Sequence, residues 1–179
     1  MGTPMRRRSV IGLVASVSGI AGCSGESDTA TVVETRSVDP AVINQSVNQV
    51  EGGQQYEATI ENSGIEGSVR VKLYWQYDDD SGESLATSTN TTVPDGGRDT
   101  VEIVTDRPET AAAYSFRVQP RDFAADIRNT GSDAEIQVQL IDEPSGTVVR
   151  ETVVSMAGGE TRTVRLTAPD GIAGSYTVQ

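Results

Sequence analysis

From Tyr56 onward the chain alternates apolar and polar positions. Tyr56, Ala58 and Ile60 alternate with Glu57, Thr59 and Glu61, and Val69, Val71, Leu73 and Trp75 alternate with Arg70, Lys72, Tyr74 and Gln76. A period of two sends successive side chains to opposite faces of a strand, so one face is buried and the other wet. Asn62-Ser63-Gly64 and Asn129-Thr130-Gly131 read as turns in which Asn and Gly accept positive φ. Pro94-Asp95-Gly96-Gly97 and Asp142-Glu143-Pro144-Ser145-Gly146 mark two more. Long runs at a 3.6-residue period are missing. The pattern predicts an all-β fold of antiparallel strands arranged as a β-sandwich.

The alternation is also repeated. Tyr56, Ala58, Ile60, Asn62, Gly64, Val69, Val71 and Leu73 recur 67 residues later as Phe123, Ala125, Ile127, Asn129, Gly131, Ile136, Val138 and Leu140. Downstream, Gly96-Gly97 precedes Val101 and Ile103 as Gly158-Gly159 precedes Val164 and Leu166. This divides the body into units over 41–119 and 120–179. Units this small bury only about 60% of the surface their unfolded chains expose. They are therefore expected to pack together, or to share one sandwich, since Tyr114–Val118 can end the first or begin the second. The Asn-Ser/Thr-Gly turn, the apolar strand after it and the Gly-Gly-x-x-x-Val strand resemble immunoglobulin-like modules related to the CARDB adhesion domain. That resemblance implies a fold and an interaction role, and no chemistry.

The first 22 residues have a different pattern. Arg6-Arg7-Arg8 is followed by an apolar stretch from Val10 to Ala21, twelve residues in all. As a helix it would span about 18 Å, well short of a hydrocarbon core of about 30 Å. It reads as the core of a signal peptide. Arg7 and Arg8 before Ser9-Val10-Ile11 resemble a twin-arginine export signal, with Val10 in place of the usual Phe. Ile20-Ala21-Gly22-Cys23 matches the lipobox of lipoprotein signal peptides at every position. Small residues before the cysteine admit the peptidase, and the Cys23 thiol accepts the lipid. The resemblance implies removal of 1–22, a two-chain lipid on Cys23 and an address on the outer side of the cell membrane. Translation could start at Met1 or Met5. Residues 23–40, rich in Gly, Ser, Thr, Asp and Glu, read as a flexible tether in which only Val32, Val33 and Val38 are apolar, and those valines make a short first strand the alternative.

Charge sharpens that address. The chain carries 14 basic and 26 acidic residues, a net of −12, and no histidine. Removing the three leading arginines leaves a mature net of −15. Such a surface repels phosphate backbones, so nucleic acid is not an expected partner. Lys72 is the single lysine against thirteen arginines. Acidity with so little lysine resembles haloarchaeal-type surface lipoproteins, whose self-repulsion is screened where the Debye length falls to about 3 Å in molar salt.

Candidate chemistry is sparse. Without histidine the commonest general base and zinc ligand is missing, and the one cysteine is assigned to lipid. No Gly-x-Ser-x-Gly elbow or phosphate loop is present, and no cofactor is implied. Asp78, Asp80 and Glu83 form a weak calcium candidate in an acidic loop that lacks the EF-hand spacing; the competing reading is a solvated hairpin tip. Asn44-Gln45-Ser46 and Asn90-Thr91-Thr92 are N-glycosylation tripeptides. Trp75 shares the inward register of Val71 and Leu73, whereas Tyr74 faces outward. The sequence thus predicts a non-enzymatic, lipid-anchored surface module that binds another envelope protein or surface component, or serves as a spacer. The alternative is a small-ligand binder or carboxylate-based extracellular enzyme.

Overall fold

The computed structural model describes residues 30–78, 82–143, 145–169 and 176–178. The signal segment therefore lies outside the described residues. Twelve strands follow in chain order: β1 Ala30–Ser37, β2 Pro40–Val50, β3 Gly53–Asn62, β4 Gly67–Tyr77, β5 Glu83–Val93 and β6 Arg98–Thr105, then β7 Ala111–Pro120, β8 Asp122–Asn129, β9 Ala134–Asp142, β10 Thr147–Met156, β11 Thr161–Thr167 and β12 Tyr176–Val178. Among the described residues there is no helix. The strands form four three-stranded sheets of order β2-β3-β6, β5-β4-β7, β10-β9-β12 and β1-β8-β11. Every pairing with a described register is antiparallel. The all-β, antiparallel expectation holds.

The described residues divide into two compact bodies: a major one of 35–125 with 165–169, and a minor one of 30–34, 126–164 and 176–178. The division falls elsewhere than the sequence boundary at 119/120. Within the major body Ala168 N–H donates to Arg121 O at 2.7 Å, and Thr167 Oγ1 donates to Asp122 Oδ1 at 2.6 Å. Tyr114–Val118 lies in β7, which pairs with β4 from Val69↔Pro120 to Tyr77↔Ala111.

In the major body the sequence alternation becomes a core. Tyr56, Ala58 and Ile60 of β3 and Val69, Val71 and Leu73 of β4 are all fully buried, and Val101, Ile103, Ala111 and Phe116 join them in one cluster. Tyr56 stands edge-on to Trp75, with centroids 5.2 Å apart at 68°, and to Tyr114, at 4.9 Å and 73°. Each such ring pair adds about 1 kcal/mol beyond the area it buries. Trp75 is thus a core residue, as its register requires. In the minor body Ile127, Val138, Leu140, Met156 and Val164 are buried.

Two local expectations resolve. Of the tether and short-strand alternatives over 23–40, the described part is a strand from Ala30 to Ser37, and Val38, just beyond it, is buried. Val38 N–H donates to Asp122 O at 3.2 Å, a long-range pairing that a polar local composition cannot reveal. The Asn-x-Gly segments are not positive-φ turns, since among the described residues no non-glycine residue has positive φ and neither Gly64 nor Gly131 does. Asn62 and Asn129 instead close their strands with buried side chains at 1% exposure.

Asn62 illustrates how. Its Oδ1 accepts from Asp39 N–H and Gly64 N–H, both at 3.0 Å. Its Nδ2 donates to Ile65 O at 2.8 Å, Pro94 O at 3.0 Å and Val93 O at 3.4 Å. Asn129 is held similarly, with Oδ1 accepting from Gly131 N–H at 2.9 Å and Nδ2 donating to Ser132, Met156 and Ala157 carbonyls at 2.5, 3.2 and 3.3 Å. One buried amide satisfies a cluster of loop backbone groups that no ladder reaches.

Gly64 is required by space, not by φ. A Cβ there would lie 2.1 Å from Ser37 O and 2.8 Å from Asp39 N. The β1–β2 corner presses on it, with Ile65 N–H donating to Ser37 O at 3.2 Å and Ser63 N–H to Asp39 O at 3.1 Å. Gly64→Ala must push that corner away, and we expect a loss of about 3 kcal/mol, at the upper end of overpacking costs. Urea melts of the two proteins check this; equal midpoints would contradict it.

Candidate functional site

The weak calcium candidate falls at the β4–β5 hairpin end. Asp78 follows β4, Glu83 opens β5, and Asp80 lies outside the described residues, so the calcium set cannot be assembled in full. Among the described residues no group of three or more His, Cys, Asp or Glu is arranged to hold a metal ion. The Glu83 carboxylate is paired with Arg117, a β7 residue whose guanidinium also sits 4.8 Å from the centroid of the Tyr74 ring. Arg117 is the residue the sequence reading missed here. Its only sequence signal was an outward position on a strand not yet paired with β4. Tyr77, Asp78, Glu83 and Ala112 line an open, shallow depression of about 500 Å³ at this end.

Lys72 and the outward tyrosine behave as solvated-face residues. Lys72 Nζ donates to Gln119 Oε1 at 3.1 Å across the β4–β7 pair, where Lys72 faces Arg117. Tyr56, by contrast, has its hydroxyl pushed up from the usual 10.0, first by burial and then by the neighbouring Tyr114 and Asp106, against the pull of Arg107. Its hydroxyl donates to Gln54 Oε1. Burial thus keeps it a neutral donor.

One carboxylate is tuned for structure. In the turn between β10 and β11, Glu160 Oε2 accepts from Ala157 N–H at 2.8 Å and Oε1 from Arg162 Nε at 3.0 Å. The Ala157 N–H, then Arg162, hold its carboxyl below the usual 4.5. A depressed carboxylate stabilises the fold above its unfolded value, and that contribution disappears as pH falls through the folded value. Glu160→Gln should therefore be less stable than wild type at neutral pH, with the gap closing on acidification below about pH 4.5. Denaturant melts across that range check it, and a gap unchanged into strong acid would refute it.

The two glycosylation asparagines are both among the described residues. Asn44 lies inside β2 and Asn90 inside β5; both are exposed. Cys23, Arg7, Arg8, Ile20, Ala21 and Gly22 lie outside the described residues.

No family model matches the chain, and no curated protein matches it. Among solved structures, the crystal structure of DesR, a beta-glucosidase from Streptomyces venezuelae in complex with D-glucose, is similar over 67% of this chain, at 18% identity and a TM-score of 0.33. The match spans 15% of that enzyme's chain.

Proposed function

We propose that the protein is a lipid-anchored module of the outer cell surface that binds another envelope component without catalysing a reaction. The observation that carries this reading is the lipobox Ile20-Ala21-Gly22-Cys23 directly after an apolar stretch led by Arg7 and Arg8. The signal would take the chain across the membrane, and the lipid on Cys23 would hold it there. Two chains are needed for that, because one binds a bilayer only marginally. The acidic body, net −15 once the arginines are removed, then stands off an anionic surface and works in concentrated salt.

On the same reading the repeat units over 41–119 and 120–179 are immunoglobulin-like β-sandwich units related at an offset of 67 residues. The matching roles of Asn62 and Asn129 support it, because each ends a strand and binds the carbonyl three residues on. Backbone follows suit: Asn62 N–H donates to Gly97 O and Asn129 N–H to Glu160 O, each at 2.9 Å. Sheet faces of this kind suit protein partners. Exposed Leu85, Val104 and Val153 offer apolar contact points among charged neighbours.

The test is capture from native membranes in molar salt with the tagged full chain. A partner recovered with the wild type and lost on an outward-face substitution such as Val104→Glu supports the binding module. Turnover of any substrate by the purified protein would favour the enzymatic alternative.

A further inference from the structure

We propose that Asn44 and Asn90 carry N-linked oligosaccharides that cap the two uncharged edges of the major body. Its two sheets, β2-β3-β6 and β5-β4-β7, end on four strands: β2, β6, β5 and β7. An open edge presents unpaired N–H and C=O groups, and soluble proteins blunt it with charge, proline or a bulge. β6 follows that rule with Arg98, Asp99 and Glu102, and β7 has Arg117 and ends at Pro120. β2 and β5 do not. The eleven residues of β2 contain no charged side chain, and the eleven of β5 contain only Glu83, at the first position. In a chain that is 22% charged, two such edges stand out. β2 has a bulge between Val42 and Asn44, yet it exposes Ile43 and Val47 to 44% and 42%.

The only two Asn-x-Ser/Thr tripeptides of the chain lie on these two strands, one on each. In both, the asparagine and the hydroxyl residue lie on one face of the strand. Residues two apart share a strand face, so each asparagine and its hydroxyl residue project together. Asn44 and Ser46 stand opposite Thr59 and Glu57, on the face away from Tyr56 and Ala58, and Ser46 Oγ donates to Glu57 Oε2 at 3.2 Å. Asn90 and Thr92 stand opposite Arg70 and Ser68, away from Val69 and Val71, and both are exposed. A glycan at either position projects into solvent beside an edge and blocks a second strand from docking. It does sterically what charge does on β6.

The donor is an oligosaccharide carried on a polyprenyl phosphate. The Asn Nδ2 forms a bond to the anomeric carbon of the first sugar, and the bond from that carbon to the phosphate oxygen breaks. The phosphate leaves with the electron pair, a base takes one amide proton, and nothing is oxidised or reduced. The assignment rests on the export proposed above, since such transfer occurs on the outer face of the membrane.

Peptide mass spectrometry of the full chain purified from the cells that make it reads both claims in one preparation. Expected are sugar mass on the peptides bearing Asn44 and Asn90. Asn44→Gln and Asn90→Gln should each lose one glycan; Thr92→Ala should lose the second while Thr92→Ser keeps it. The Asn44→Gln/Asn90→Gln double variant should self-associate in sedimentation where the wild type is monodisperse. An unmodified Asn44 or Asn90 peptide overturns the assignment for that edge. If such a peptide comes from a chain whose Cys23 carries lipid, export stands and only the glycan fails. If residues 1–22 are retained and no sugar is found, both fail.

Discussion

Asn62→Ala should lose about 4 kcal/mol of folding stability, more than any other single polar deletion in the major body. The substitution leaves Asp39 N–H, Gly64 N–H and the Ile65, Val93 and Pro94 carbonyls without the amide that serves them. A buried polar group deprived of its partner costs about 1–3 kcal/mol, and water entering the vacated space recovers part of the sum. Asn129→Ala removes four comparable bonds and should lose about 3 kcal/mol. Asn62→Asp separates shape from hydrogen bonding. It keeps the volume but turns a carboxylate oxygen toward three carbonyls, so it should be at least as damaging as alanine. Chemical denaturation of the three variants gives the values. A loss below about 1 kcal/mol for Asn62→Ala would mean that these loops are wetted and the amide is incidental.

That asparagine also shows what was legible in advance and what was not. The period-two alternation located β3 and β4 and their buried faces, and extending the inward register from Tyr56, Ala58 and Ile60 by two arrives at Asn62. The composition of Asn-Ser-Gly suggested a turn, and turn chemistry prevailed over register in the reading. Gly64 was found for the wrong reason, because close approach by Ser37 is a tertiary fact. β1 stood only as the alternative to a tether for a related cause. Ala30–Ser37 is polar, with Val33 61% exposed, and its pairing partners lie far along the chain. Which strands neighbour one another, such as β3 with β6 and β4 with β7, depends on loop closure and not on local pattern. The same ignorance of neighbours left Arg117 unpaired with Glu83 and left the open edges of β2 and β5 unseen. The sequons were legible as tripeptides. That both lie on uncharged edges was not.

Cys23→Ser should move the protein from the membrane fraction to the aqueous one, a change of at least about 100-fold in partitioning. A serine hydroxyl cannot take the thioether-linked lipid. What remains outside is a chain of net −15, which anionic headgroups repel. Wild-type protein should resist washing in molar salt and come off only with detergent, because acyl burial at about 0.8 kcal/mol per CH₂ is insensitive to screening. Arg7→Lys/Arg8→Lys separates address from anchor: it should hold the chain inside the cell with its leader intact. Membrane retention of the Cys23→Ser protein would assign anchoring to the apolar stretch Val10–Ala21 instead.

The most direct test is the mass of the mature N-terminus. The account predicts a chain that begins at Cys23, with a two-chain glycerolipid on its sulfur and residues 1–22 gone. A chain that retains those residues and has a free thiol at Cys23 would contradict it.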